Sequence, residues 1–176
     1  MFWRVNITGE WHGRFEYDDP AAAPYAESFV WQITHERSGR VSGDCTDSVT
    51  GQRAELLGRI DRRQLEILKQ YPTDPSVLLG TDAGGRHVTI AELYDDAEWR
   101  QAIKDFNAAQ RRNRQPALDT VQLIEEYAEG LSRIIYTGRV VRRTRMEGQW
   151  VIPAFKFGLG CMSSPEVRGT WWAERK

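Results

Sequence analysis

Lys69 has the most chemical potential of any side chain in this sequence, because of the company it keeps. It shares a period-two phase with Leu65, Ile67 and Tyr71, so a strand that buries the two aliphatic residues carries an ammonium inward with them. A buried ammonium is costly unless it is paired, and two readings follow. Lys69 can hold a ligand carboxylate or phosphate, with Tyr17, Tyr71 or Tyr136 donating hydrogen bonds. Alternatively, it pairs with an internal acid such as Asp47 or reaches out at a rim. His35 shares the phase of Trp31 and Ile33, whereas His12 reads as outward and His87 falls in a loop region. Three scattered histidines without carboxylate or cysteine companions at ligand spacing point to no metal site and no cofactor. Cys45 and Cys161 lie far apart and form no metal-spaced pair. Residues 80–85, Gly-Thr-Asp-Ala-Gly-Gly, lack the Gly-Lys-Ser/Thr ending of a phosphate loop and read as a turn. No nucleophile–base or acid–base pair assembles from the inward residues, which argues against an enzyme.

Charge narrows the field further. Arg139, Arg142, Arg143 and Arg145 cluster near one turn, and Arg111, Arg112 and Arg114 near another. Acids such as Asp95, Asp96, Glu125, Glu126 and Glu129 balance them, and the net charge of the whole chain is −1. No aromatic residues interleave with the arginines, so solvated turns fit better than a nucleic-acid surface. The sequence has no apolar run near membrane-spanning length and no basic-then-apolar N-terminal segment. A cytoplasmic protein that engages neither membrane nor nucleic acid is therefore expected. With 176 residues, one domain spanning residues 1–176 is expected.

The elements that would position these residues are mostly strands. Ile7, Gly9, Trp11, Gly13, Phe15 and Tyr17 alternate with polar neighbours, and residues 18–24 break the pattern. Phe29, Trp31 and Ile33 repeat the alternation, as do Val41, Gly43 and Cys45, then Ala54, Leu56, Gly58 and Ile60, and then the strand of Lys69. Residues from about 75 to 130 change period. Trp99, Ile103, Phe106 and Gln110 recur at helical spacing after a cap at Asp95 or Asp96, and Leu118, Val121, Ile124 and Ala128 do so before a stop at Gly130. Alternation then returns in Ile134, Tyr136, Gly138 and Val140, in Gly148, Trp150 and Ile152, and in Gly169, Trp171, Ala173 and Arg175. The expected fold is mainly β: an eight-stranded antiparallel up-and-down β-barrel with a two-helix insertion between the fifth and sixth strands. A two-sheet sandwich is the rival.

Gly9-Glu10-Trp11 on the first strand and Arg175 on the last resemble the lipocalin/avidin-like (calycin) superfamily. Its members carry Gly-x-Trp on the first strand and a basic residue from the last strand over the Trp. The runs Leu65-x-Ile67-x-Lys69-x-Tyr71, Ile134-x-Tyr136-x-Gly138 and Gly148-x-Trp150 are also similar to lipocalin-like domains of bacterial proteins. The resemblance covers about two-thirds of the chain and leaves out the insertion. It implies a barrel that Trp11 and Arg175 close together. Unlike secreted lipocalins, the sequence has no signal peptide and no paired cysteines, and it carries no convincing set of biotin-contacting residues in avidin order.

A barrel of this kind would be lined by Trp11, Phe15, Tyr17, Phe29, Trp31, Leu56, Ile67, Tyr136, Trp150 and Trp171. Such walls suit a small apolar or amphipathic ligand, with His35, Lys69 and Tyr71 as further contacts. The same rings are also large enough to fill the interior. In that case the chain acts as an interaction module for a protein partner or a second copy. Its contacts would come from the insertion, with Trp99, Phe106 and Tyr127 as anchors, or from the outer wall. A non-enzymatic ligand-binding barrel is the leading expectation.

Overall fold

The computed structural model describes residues 5–19, 27–82 and 84–176. Along them run β1 (Gly9–Tyr17), β2 (Glu27–His35), β3 (Arg40–Asp47), β4 (Arg53–Asp61), β5 (Gln64–Gln70), β6 (Leu79–Thr81), β7 (His87–Thr89), α1 (Ile90–Tyr94), α2 (Ala97–Arg112), α3 (Thr120–Leu131), β8 (Arg133–Arg142), β9 (Arg145–Ile152), β10 (Phe155–Phe157), β11 (Met162–Ser164) and β12 (Val167–Arg175). They divide between two compact units. One is Met1–Tyr71 with Arg133–Pro153 and Glu166–Lys176, and the other is Pro72–Ser132 with Ala154–Pro165. The turn expected over residues 18–24 lies outside the described residues from residue 20 onward.

The first unit is a closed antiparallel barrel in the order β1-β12-β9-β8-β5-β4-β3-β2. Each strand pairs with its sequence neighbour within the barrel, and β1 pairs with β12 to seal it, which is the expected up-and-down topology. Period-two alternation puts Trp11, Phe29, Trp31, Val41, Leu56, Ile67, Tyr136, Met146 and Trp171 in the buried core. Closure leaves no open strand edge in the ring.

Inward glycines make room for the rings. Gly13 faces Phe29 across the β1–β2 pair, and Gly148 and Gly169 face Trp171 and Trp150 across the β9–β12 pair. A Cβ on Gly169 would stand 2.7 Å from the Trp150 ring, and one on Gly138 would stand 2.8 Å from Trp171. Covering a strand glycine with a neighbouring aromatic lets the sheet bend sharply without losing packed area.

The second unit holds three helices and two hairpins, more than the two helices expected. β6 and β7 pair through the Asp82 turn, where Asp82 Oδ1 accepts from the amides of Gly84 and Arg86 at 2.9 Å each. A capping box joining Thr89 and Glu92 then starts α1. Periodicity could not reveal an element of five residues. Asp96 caps α2, one of the two positions expected, and Asp119 caps α3. The side chain of Asn107 clips the α2–α3 connection, donating to Leu118 O at 3.0 Å and accepting from Leu118 N at 2.7 Å.

Two details of α3 differ from the sequence reading. Val121 is exposed, and Leu123 and Ala128 are the buried residues. The helix also runs through Gly130 to Leu131, because Gly130 does not serve as a stop. A Cβ there would overlap the Phe155 ring, so the glycine seats β10 against the helix.

Candidate functional site

Every hairpin of an up-and-down barrel returns at one of two ends, and the chemistry divides between them. At one end lie the β2–β3 turn, the β8–β9 turn and the C-terminus of β12. Here Trp11 is fully buried, and its indole donates to Ile7 O at 2.8 Å. Trp11 and Arg175 are direct cross-strand partners, and the guanidinium lies 4.9 Å above the indole. Arg175 also donates to Asn6 O at 2.7 Å and Thr8 O at 3.0 Å, tying the segment ahead of β1 to the last strand. His35 sits half-buried at this end, held by its backbone to Thr8 Oγ1 at 2.9 Å, and so stands apart from Lys69.

In the middle of the barrel, rings meet rings. Phe29 stacks on Trp31 at 4.7 Å, Trp31 meets Tyr136 at 5.1 Å and Trp171 at 5.2 Å, and Tyr136 meets Trp171 at 5.7 Å. Trp171 donates to the carbonyls of Thr137 and Gln149 at 3.1 Å each, and Trp150 donates to Glu16 O at 3.2 Å. Among the described residues, the buried Trp31 Nε1 finds no hydrogen-bond partner. It lies beside its cross-strand neighbour Cys45, whose sulfur is a weak acceptor.

The opposite end carries the polar set. Lys69 is the penultimate residue of β5 and is fully buried; Asp47 ends β3 and is 3% exposed. Lys69 Nζ lies 2.6 Å from Asp47 Oδ1, and the buried Tyr71 hydroxyl donates to Asp47 Oδ2. The Cys45 thiol, 3.6 Å from Asp47 Oδ1, completes the donors around the carboxylate. The ammonium also lies 4.5 Å from the centroid of the Tyr71 ring and 6.0 Å from that of Phe15. Around this set stand Phe15, Tyr17 and Trp150, with Tyr17 and Trp150 edge to face at 4.8 Å and Phe15 and Trp150 at 5.7 Å.

Burial governs the protonation states here. It pushes the Tyr17 phenol up to about 12, with the charges of Glu27 and Asp47 adding to the effect. It also pushes the Cys45 thiol up to about 12, against the opposing pull of Lys69. Tyr71 and Tyr136 are raised well above the usual phenol value, first by burial and then by neighbouring negative charge. All four are therefore neutral at ordinary pH.

Of the two readings of Lys69, the geometry provides the pairing with Asp47. Among the expected ligand contacts, Phe15, Tyr17, Lys69, Tyr71 and Trp150 come together at the polar end, Phe29, Trp31, Tyr136 and Trp171 form the ring-packed middle, and His35 falls at the far end. The buried Glu27 was missed, although its phase with Phe29, Trp31 and Ile33 on β2 marks it as inward. In the second unit, Trp99, Phe106 and Tyr127 pack against a small core of Ile103, Leu118, Leu123 and Phe157. On the outer wall a groove of about 630 Å³ lies over Gly138 and Gly148, bordered by Arg139, Glu147 and Trp172. Its charges are partly matched, with Arg139 3.3 Å and Arg145 3.4 Å from Glu147. Among the described residues, no cluster of three histidine, cysteine, aspartate or glutamate side chains is arranged to hold a metal ion. No helix among them is long and apolar enough to cross a membrane.

No protein-family model matches this chain, and no curated protein matches it. Among solved structures, one described as "Structure of EF1p2_mFAP2b bound to DFHBI" superposes with a TM-score of 0.42 at 9% sequence identity, over 97% of this chain and 94% of that one. The strand order and register of the chain itself close the barrel.

Proposed function

We propose that the chain is a calycin-like, non-enzymatic binding protein whose barrel takes a small amphipathic ligand at the end bearing Asp47, Lys69 and Tyr71. The observation that carries this reading is the polar set itself, a hydrogen-bonded carboxylate, ammonium and phenol buried among Phe15, Tyr17 and Trp150. Ligand sites combine apolar walls with a few convergent polar groups, and this end of the barrel has both. The stacked Trp11–Arg175 pair supports the calycin likeness and the reading of the other end as the closed one. Because Asp47 already matches the Lys69 charge, a neutral ligand with a hydrogen-bonding group suits the site better than a free carboxylate.

The test is a fluorescence titration of the full chain with N-phenyl-1-naphthylamine, an apolar probe with one N–H donor. Saturable enhancement at one probe per chain is expected, weakened at least tenfold in a Lys69→Met, Asp47→Leu double variant that keeps its far-ultraviolet spectrum. No saturable binding by the native chain would remove the proposal. The mutual contact of Phe29, Trp31, Tyr136 and Trp171 favours a second reading, a filled barrel that acts through its surface. Leu57, Leu68, Ile135 and Val151 form an apolar cross-strand row on the outer wall that such a protein would use. That reading predicts a dimer of the chain with no probe bound.

A further inference from the structure

We propose that Lys69 is a covalent anchor, forming an imine with an aldehyde or ketone ligand held at this end of the barrel. The inference rests on the ligand-binding reading and names the ligand's reactive group. Condensation needs a neutral amine, a proton acceptor beside it and surroundings that keep water from reversing the product. Asp47 Oδ1, 2.6 Å from Nζ, is placed to take the ammonium proton, and the Tyr71 hydroxyl holds the other carboxylate oxygen. The freed lone pair on Nζ attacks the carbonyl carbon, and the C=O π electrons move to oxygen. The resulting carbinolamine then loses that oxygen as water, using the proton held by Asp47 and one transferred from nitrogen, and Nζ becomes doubly bonded to carbon. Protonated at nitrogen, the product carries the same single positive charge as the ammonium it replaces.

That conservation of charge is the main reason the site suits the reaction. Asp47 starts and ends as a carboxylate beside one positive charge, so no buried charge is left unpaired in the product. The Tyr71 face, 4.5 Å from Nζ, and the Phe15 face, at 6.0 Å, serve the iminium as they serve the ammonium. The neighbouring Cys45, pushed up to about 12 by burial, stays a thiol and does not compete as a nucleophile.

The experiment treats the full chain with 2-naphthaldehyde and sodium cyanoborohydride, which reduces an imine to a stable secondary amine, and maps the label by peptide mass spectrometry. The sequence has only three other lysines, Lys104, Lys156 and Lys176, all exposed, so the assignment is direct. Labelling of Lys69 at least tenfold faster than the exposed lysines and the α-amino group is expected, and Asp47→Asn should slow it at least tenfold. Label on the exposed amines with Lys69 unmodified overturns the proposal, and so does labelling of Lys69 no faster than theirs. If the naphthylamine probe still binds in that case, the covalent inference alone has failed. If it does not bind, the binding reading fails as well.

Discussion

Removing either partner of the Asp47–Lys69 pair leaves the other buried without a counter-charge. Breaking a buried pair in this way costs about 3–5 kcal/mol, whereas replacing both partners with apolar residues is often neutral. Lys69→Met and Asp47→Leu should each lower unfolding free energy by about that amount, and the double variant should recover most of it in urea titrations. Additive losses would mean the two side chains do not act as a pair. The neutral phenols and thiol give a second prediction. Tyr17 is raised from 10 to about 12 and Cys45 from 9 to about 12, so the folded state holds these protons more tightly than the unfolded chain. Their contribution is complete below the unfolded values and is lost as pH rises through the folded ones. Thermal midpoints should therefore fall between pH 9 and 12, and Cys45→Ala should remove the early part of that fall. A midpoint that stays flat across the window would contradict the burial of these groups. Much of this site was legible in the sequence. The phase of Lys69 turned an ammonium inward, and the phase of Cys45 on β3 extends to Asp47. The pairing acid, Asp47, was legible too; what stayed open was whether Lys69 pairs with it or holds a ligand, because strand register sets the approach of a partner 22 residues away.

At the scale of elements, glycines decide where packing is closest, and two opposing effects meet in α3. Alanine is favoured over glycine inside a helix by about 1 kcal/mol, yet at Gly130 its methyl group would overlap the Phe155 ring. Overpacking costs about 1–3 kcal/mol, so Gly130→Ala should destabilise the second unit, and a Phe155→Ala background should turn the same change into a gain. Stabilisation in the native background, read by amide exchange in α3, would refute that placement of Phe155. In the barrel, Gly169→Ala should press first on the Glu16 carbonyl of β1 and then on the Trp150 ring, loosening β12 from both neighbours, seen as faster amide exchange along β12. The barrel strands were legible because alternation sets one face inward over seven to ten residues. The phase of α3 was not, because Val121 fits the helical period as well as Leu123 does and only the packed neighbours choose between them.

At the scale of the molecule, the stacked Trp11–Arg175 pair lies at one end of the barrel and the buried Asp47–Lys69 set at the other, which the proposed function reads as closure and reception. Trp11 and Arg175 join the first and last strands at one end, and the aromatic middle fixes the strand register. The Asp47 end holds the polar groups that a ligand could use. Arg175→Met should weaken closure while leaving the Asp47 set intact, so its thermal midpoint should fall with little change in probe affinity. A loss of probe binding as large as that of the Asp47 and Lys69 variant would erase the distinction between the two ends. The most direct measurement is native mass spectrometry of the full 20.3 kDa chain mixed with N-phenyl-1-naphthylamine. One retained probe per chain is expected, lost in the Lys69→Met, Asp47→Leu variant. A chain that retains no probe, or one that binds it equally well without those two residues, would contradict it.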